Sequence, residues 1–468
     1  MTAAVQTTTD APAASTTAEP DGLPDSARRW AVAALGIAVG VATLDTAIAN
    51  TALPSIAIDL HASPAASVWV VNAYQLAMVA TLLPFAALGE ILGYRRVYLG
   101  GLALFTLASL ACALSTSLPM LAAARVLQGL GASAIMCVNT ALLRFIYPSR
   151  MLGRGMGFNA LVVAVAFAVG PTVASLILSL STWPALFAVN VPLGVVAFVI
   201  AHKALPHTKR ANHGFDVLVA VYNAGAFGFL VLALGEAVHN AGAAHVLPEL
   251  AIAIICGVLL LRRQAGHPAP MLPVDLFRRP MFTLSALTSF CSQGAQGLAY
   301  VALPFYFETI LGRTQVVTGF LMTPWPVVVA IMGPIAGRLS DRYSAGILGG
   351  IGLAAMCIGM ALLAMLPSHP SVFDIGWRMA VCGAGFGFFQ APNLKAMMAS
   401  APASRSGGAS GIVAASRLMG QTTGAALVAL CFTLVGVHGA TLALALGAGL
   451  AGAASLASFS RLLAPAPI

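Results

Sequence analysis

The sequence predicts an all-α polytopic membrane protein with fourteen transmembrane helices. Three observations carry that prediction. The 468 residues are 59% hydrophobic and only 8% charged, with mean hydropathy +0.92, whereas soluble domains carry roughly 25% charged residues. Apolar runs of about 20 residues recur along the chain, each long enough for a bilayer core of about 30 Å. The basic residues fall in alternate loops.

The runs cover approximately 29–52, 66–88, 97–115, 120–143, 155–179, 185–202, 215–236, 246–262, 282–307, 316–338, 345–366, 373–396, 408–434 and 437–460. An even number places both termini on one side. With the N-terminus inside, the inside loops and span ends hold nineteen of the 23 lysines and arginines. Outside loops hold Arg313 alone, and Arg125, Arg378 and Arg417 lie within spans. This is the bias of the positive-inside rule. It also explains the net charge of +9 without a nucleic-acid partner, which would need the bases clustered on one soluble face.

The chain repeats itself. "LGEILGYRRVYLGG" follows the second run and "GRLSDRYSAGILGG" the tenth. "RVLQGLGAS" opens the fourth and "RMAVCGAGFG" the twelfth. Six spans therefore resemble another six in the same orientation, a parallel repeat typical of transporters with a substrate site between halves. The expected organisation is a disordered cytoplasmic tail over 1–27 and a six-helix half over 28–202. A linker over 203–281 carries two extra spans, and a second six-helix half covers 282–461. The tail is rich in Thr, Ala and Pro, without the basic start and short apolar run of a cleavable signal.

From Trp30 to the end of the first run, Asp45 is the only charge. A carboxylate at a span centre costs about 2.5–3.5 kcal/mol and faces a cavity or a partner. Depth names Arg125 as that partner. Asp45 lies about 24 Å up its helix from Arg29, and Arg125 about 9 Å down from Pro119, at 1.5 Å per residue. The two levels nearly coincide in a core of about 30 Å. Gln128 extends the Arg125 face. A structural carboxylate or a fixed ion pair remains the plainer alternative.

Glu90, Gly93, Arg95, Arg96, Asp341 and Arg342 read first as loop residues and topology charges. Gly170-Pro171 reads as a kink in the fifth span. Trp69, Tyr74 and Gln75 are either cavity residues or interface anchors. Glu308 and Arg417 are further cavity candidates. The seven cysteines sit in apolar runs without CxxC spacing, as small core residues do. No lysine stands in a phosphate-loop context, so ATP drive is not expected. No metal helix, nucleophile–base pair or long soluble segment suggests an enzyme.

These motifs resemble the major facilitator superfamily, and most closely its fourteen-span drug:proton antiporters. "LDTAIANTALPSI" is similar to the first-span motif and "RVLQGLGASA" to the fourth-span motif. "AVGPTVAS" is similar to the fifth-span antiporter motif, and "WPALFAVNVPLG" to the opening of the sixth span. Glu90 and Ile91 stand where the family usually has Asp and Arg. Ala166, Ala174 and Ser175 stand at positions usually Gly, which keeps small residues for close packing.

The resemblance implies two six-helix halves plus two central helices, working by alternating access. It implies exchange of protons for amphipathic, cationic or lipophilic drugs, with a narrow-range metabolite as the alternative cargo. Asp45 and Arg125 would couple proton and substrate, and Asn50 would join Tyr74, Gln75, Gln128, Glu308 and Arg417 in the cavity. Glu90, Gly93, Arg95, Arg96, Asp341 and Arg342 would latch the conformations, and Gly170 and Pro171 would form a gate. The implied setting is a monomer in a bacterial inner membrane, both termini cytoplasmic. A proton gradient, not a cofactor, would supply the energy.

Overall fold

The computed structural model describes residues 21–62, 67, 69–208, 210, 214–238, 243–264, 274–313, 315–367 and 369–463. Each predicted apolar run coincides with one helix or with two in series. The first bundle contains α1 (Asp25–Asp59), α2 (Trp69–Leu92), α3 (Tyr94–Ala113), α4 (Leu118–Ile146), α5 (Leu152–Leu180), α6 (Pro184–Ala188) and α7 (Asn190–Ala204). Then come α8 (Val217–Val238) and α9 (Ala243–Gln264). The second bundle contains α10 (Pro280–Phe305), α11 (Gln315–Met322), α12 (Pro324–Leu339), α13 (Ala345–Ala364), α14 (Val372–Ser400), α15 (Ser406–Val435) and α16 (Gly439–Phe459). Among the described residues, ten helical segments are long and apolar enough to cross a membrane.

Local sequence sets the element ends. Ser117 accepts a bond from the Met120 amide at 3.4 Å, and Ser371 from the Asp374 amide at 3.0 Å. Each satisfies an otherwise orphaned N–H at the start of α4 or α14. The tenth run breaks between α11 and α12 at Pro324 and Pro326, since proline lacks an N–H and crowds the preceding turn. Outside the bundles, large apolar side chains such as Leu107, Val195, Val196, Ile254, Ile351 and Ile358 stay exposed. Water would not tolerate so wide an apolar surface, and lipid does.

The sequence repeat is a packing repeat. A Cβ on Gly101 of α3 would lie 2.5 Å from that of Ala134, and one on Gly131 of α4 2.5 Å from the Phe105 nitrogen. In the second bundle, a Cβ on Gly385 of α14 would lie 2.4 Å from the Met356 nitrogen of α13. Both arginine-bearing helices thus press backbone to backbone on the helix before them. Small residues at such crossings let van der Waals packing replace the hydrophobic drive that lipid removes.

Two seams join the bundles at the end where the basic residues gather. On one, Gly153 and Gly157 of α5 meet Gly333 and Gly337 of α12; a Cβ on Gly337 would lie 2.5 Å from the Gly153 carbonyl oxygen. On the other, α15 meets α2, and a Cβ on Gly407 would lie 2.6 Å from the Ala86 carbonyl oxygen. Helices α8 and α9 pack on each other, and α8 lies along α2 and α15 beside the second seam.

Of the expected disordered tail over 1–27, residues 21–27 are ordered. Residues 1–20 lie outside the described residues. From Asp21 the chain is tied down: the Asp21 carboxylate accepts bonds from the Ser149 amide and hydroxyl at 3.0 and 2.9 Å. The Leu23 amide donates to the Ile146 carbonyl at 3.0 Å, and α1 begins at Asp25. Composition alone hid these contacts, because their partners are about 128 residues away.

Candidate functional site

Asp45 sits midway along α1 and is 1% exposed; Arg125 on α4 is fully buried. The Arg125 guanidinium donates from Nη1 to Asp45 Oδ2 at 2.5 Å and from Nε to the Val70 carbonyl at 2.9 Å. The other carboxylate oxygen, Oδ1, accepts from Gln128 at 2.9 Å and from Asn190 at 2.7 Å. Gln128 is itself fixed, donating to Ser109 Oγ at 2.9 Å and accepting from Arg125 at 2.6 Å. All three partners donate, so Asp45 acts as acceptor only, the role of an ionised carboxylate. The network ties together α1, α2, α3, α4 and α7. The Arg125 guanidinium also lies 4.2 Å from the Tyr74 ring centroid and 5.6 Å from that of Phe187, within cation–π range.

Between the bundles lies a cavity of about 270 Å³, near the lower end of ligand pockets at about 300–1,000 Å³. Thr43, Thr46, Tyr74 and Gln75 line it from the first bundle. Gln293, Gln296, Tyr300, Gln390, Arg417 and Gln421 line it from the second. Asp45 is not part of the lining. Its neighbours Ala42, Thr43 and Thr46 are, so the carboxylate is sealed behind the wall. Tyr74 touches both sides of that wall: it lines the cavity, and its ring carries the Arg125 guanidinium. A smaller cavity of about 60 Å³, lined by Asn139, Asn159, Asn393 and Arg417 among others, adjoins the first.

The acidic loop residues sit on the seams. Glu90, 3% exposed, pairs with Arg405 at 3.0 Å and accepts from the Gly408 amide at 2.8 Å. Its charge therefore lies at the N-terminal end of α15, where a helix favours anions. Arg405 also pairs with Asp275 at 3.0 Å, and the guanidinium is held above its ordinary pKa range by these carboxylates, against the opposing effect of burial. On the other seam, Asp341 pairs with Lys395 at 2.8 Å and accepts from the Gly153 amide at 3.2 Å, at the start of α5. The two arrangements are copies: an acid at the end of each bundle's second span meets the start of the other bundle's fifth span.

The loop arginines do not cross the seams as a latch would require. Arg95 bonds to His207 and to the His202 carbonyl, inside the first bundle. Arg96 and Arg342 are exposed. Gly93 turns the chain between α2 and α3 at φ +94°, a conformation natural only to glycine. Gly170 lies inside an unbroken α5, its α-carbon face against Ala47 of α1, where a Cβ would approach to 2.5 Å. The side chains of Asn50, Pro171 and Glu308 lie outside the described residues. Asn190, Ser109, Arg405, Lys395 and the four cavity glutamines escaped the sequence reading. The available signal was an amide within an apolar run, alone at Asn190 and paired at Gln293 and Gln296.

Two bundles around a central cavity, with a buried charge network in one wall, define the architecture of a secondary transporter. The chain belongs to the Major Facilitator Superfamily, whose pattern matches residues 35–425 and 285–467. It is 50% identical over 447 residues to the uncharacterized transporter YebQ of Escherichia coli (strain K12), covering 95% of this chain and 98% of that one. It is 29% identical over 384 residues to the riboflavin transporter RibZ of Clostridioides difficile (strain 630), covering 81% and 83%. The multidrug resistance protein Stp of Mycobacterium tuberculosis (strain CDC 1551 / Oshkosh) is 30% identical over 403 residues, covering 84% and 74%. In fold it matches the proton:xylose symporter XylE with a TM-score of 0.68 at 14% identity, over 95% of this chain and 97% of that one. The protein is thus a polytopic membrane transporter, of a family and fold that are not enzymes, and its bacterial relatives point to the plasma membrane.

Proposed function

We propose that the protein is a fourteen-span proton-coupled antiporter that exports amphipathic compounds by alternating access. The observation that carries this reading is the buried Asp45–Arg125 pair behind the wall of the cavity between the bundles. A charge pair that deep is expensive in a membrane and marks a proton or substrate pathway. Oδ1 accepts two bonds and Oδ2 one, so a proton would enter at Oδ2 and weaken the pairing with Arg125 by removing the negative charge. Arg125 sits on α4, which lines the cavity at Met136, so that weakening frees a helix that shapes the cavity. Tyr74 relays between cavity and pair. In the present arrangement Glu90 and Asp341 hold the base-rich end closed; opening the other way must break both seams. That end faces the cytoplasm in this reading, with both termini, since basic loops stay inside.

Of the cargo classes implied by the resemblance, the lining supports the lipophilic one. A cationic cargo would need an acid at the wall, and Asp45 is sealed and paired. The name of the multidrug relative supports broad export. The riboflavin transporter and the convergent cavity glutamines favour the second reading, a carrier for one metabolite of matching hydrogen-bond pattern. An efflux-deficient host expressing the chain and scored against dyes and antibiotics separates them: broad resistance supports the first, resistance to none with uptake of one compound the second.

The direct test is Asp45→Asn, nearly isosteric and unable to titrate. In proteoliposomes with an imposed pH difference as the only energy source, the variant is expected to exchange substrate downhill but not to accumulate it. Accumulation equal to that of the unaltered protein would remove Asp45 from the coupling.

A further inference from the structure

We propose that the cavity selects cargo bearing an anionic group, a carboxylate or its like, which Arg417 receives. This deepens the transport reading and rests on the cavity being the substrate site. Three observations lead to it. Arg417 is the only charged residue among the described residues that line the cavity. Among the described residues no carboxylate pairs with it and no hydrogen bond holds its guanidinium. It also lines the smaller adjoining cavity, so it stands where the two meet.

An arginine inside a membrane is costly and is ordinarily matched by a partner or a water-filled cavity. The other two arginines within predicted spans each have an acid, Arg125 having Asp45 and Arg378 having Asp374, and Arg461, buried at a helix end, bonds to Thr288 and the Leu284 carbonyl. Arg417 faces open space instead. Its surroundings suit an oxyanion. Gln421 lies four residues on, one turn along the same face of α15, and Gln293 and Gln296 share a face of α10. The Gln421 amide reaches both glutamine oxygens only at 3.4 Å, so these amides remain able to turn toward a bound group. Guanidinium plus amide N–H groups is a donor set for a planar carboxylate. The aromatic walls, Tyr74, Phe167, Tyr300 and Phe386, suit the apolar body of the same molecule. A quaternary ammonium would meet the opposite field.

The test measures binding without any gradient, so it does not depend on proton coupling. Three probes share one ring system: anthracene-9-carboxylate, its methyl ester and the 9-anthracenylmethyl trimethylammonium ion. Their fluorescence is titrated against the purified full-length protein in detergent. The carboxylate is expected to bind at least about tenfold more tightly than the ester, and the ammonium more weakly than either. Arg417→Gln is expected to bring carboxylate and ester within about twofold of each other while ester binding persists, which also reports that the variant is folded. Arg417→Lys should keep most of the preference. The titration involves no pH difference and no accumulation, so a failure of the coupling test at Asp45 and a failure of this proposal are read separately. The proposal fails if the ester or the ammonium binds as tightly as the carboxylate, if the carboxylate does not bind up to millimolar concentration, or if its preference survives in Arg417→Gln. Should Arg417→Gln lose all binding, the ranking in the unaltered protein and in Arg417→Lys decides.

Discussion

Arg125 and Arg378 occupy matching places in the two bundles, each near the start of a long helix and six or seven residues before a glycine crossing. Their work differs. Arg125 reaches across the bundle to α1 and α2 and is fully buried. Arg378 pairs with Asp374 one turn back on its own helix at 3.1 Å and donates to the Leu362 carbonyl. That carbonyl lies in the last turn of α13, where a cation complements the helix dipole. The difference comes from what faces each arginine. The first bundle supplies Asp45 from α1, whereas α10 faces the cavity with uncharged amides. One repeated residue thus anchors a charge network in one half and caps a helix in the other. Duplication copies a packing scheme; a single carboxylate on a neighbouring helix turns one copy into chemistry.

The contrast breaks most sharply at Arg125. Arg125→Ala strands Asp45 without a counter-charge, and losing one partner of a buried pair destabilises by about 3–5 kcal/mol. Transport should vanish, and thermal unfolding in detergent should come many degrees lower. Arg125→Lys should recover only part, because Lys lacks the planar fork that serves Asp45 and Val70 together. Unaltered transport in Arg125→Ala would make the network dispensable.

The two seams allow a finer comparison. Glu90 has a 2% exposed side chain and Asp341 a 10% exposed one. Hydrogen bonds to charged groups contribute about 1.5–3 kcal/mol, less where water reaches them. Glu90→Gln should therefore shift the closed population at the base-rich end about tenfold, and Asp341→Asn less. Spin labels across each seam would read this as a growing long-distance component. An equal or reversed order would mean that burial does not set the strength of the seams.

Arg378→Gln should cost about 0.3–1 kcal/mol, the scale of a charge at a helix end, with transport retained. Loss of transport there would give the second bundle a coupling role equal to the first. The smallest effect belongs to the exposed pair linking the ends of α8 and α9, Asp216 with Arg263 at 2.8 Å. The hydrogen bond from Arg263 lowers the Asp216 carboxyl below its ordinary range. Its contribution is therefore present above the unfolded carboxyl pKa of about 3.9 and fades only as pH falls through the lower folded value. Asp216→Asn should leave unfolding temperature and transport unchanged between pH 5 and 8. A clear drop at neutral pH would show that α8 and α9 depend on this pair.

Much of this was legible without coordinates. The fourteen apolar runs coincide with helices because hydropathy and length act locally, and serine caps and prolines mark the ends. Asp45 and Arg125 stood out because a charge in an apolar run is rare, and helix rise alone gave their common depth. Asn190 did not stand out, because nothing local says that an amide 145 residues away points at the same oxygen. The loop motifs were visible, yet the basic residues in them stay within one bundle or at the surface. The partners across the seams, Arg405 for Glu90 and the start of α5 at Gly153 for Asp341, belong to other segments.

The sequence by itself determined the class of the molecule, the repeat and the presence of buried charge, since each follows from composition and spacing within one run. Only the tertiary structure decided the pairings. It sealed Asp45 behind the cavity wall, turned Arg378 into a helix cap and left Arg417 facing open space. Those outcomes depend on which helices lie side by side, and that is fixed by backbone contacts at glycines such as Gly131, Gly337 and Gly407, far apart in the chain.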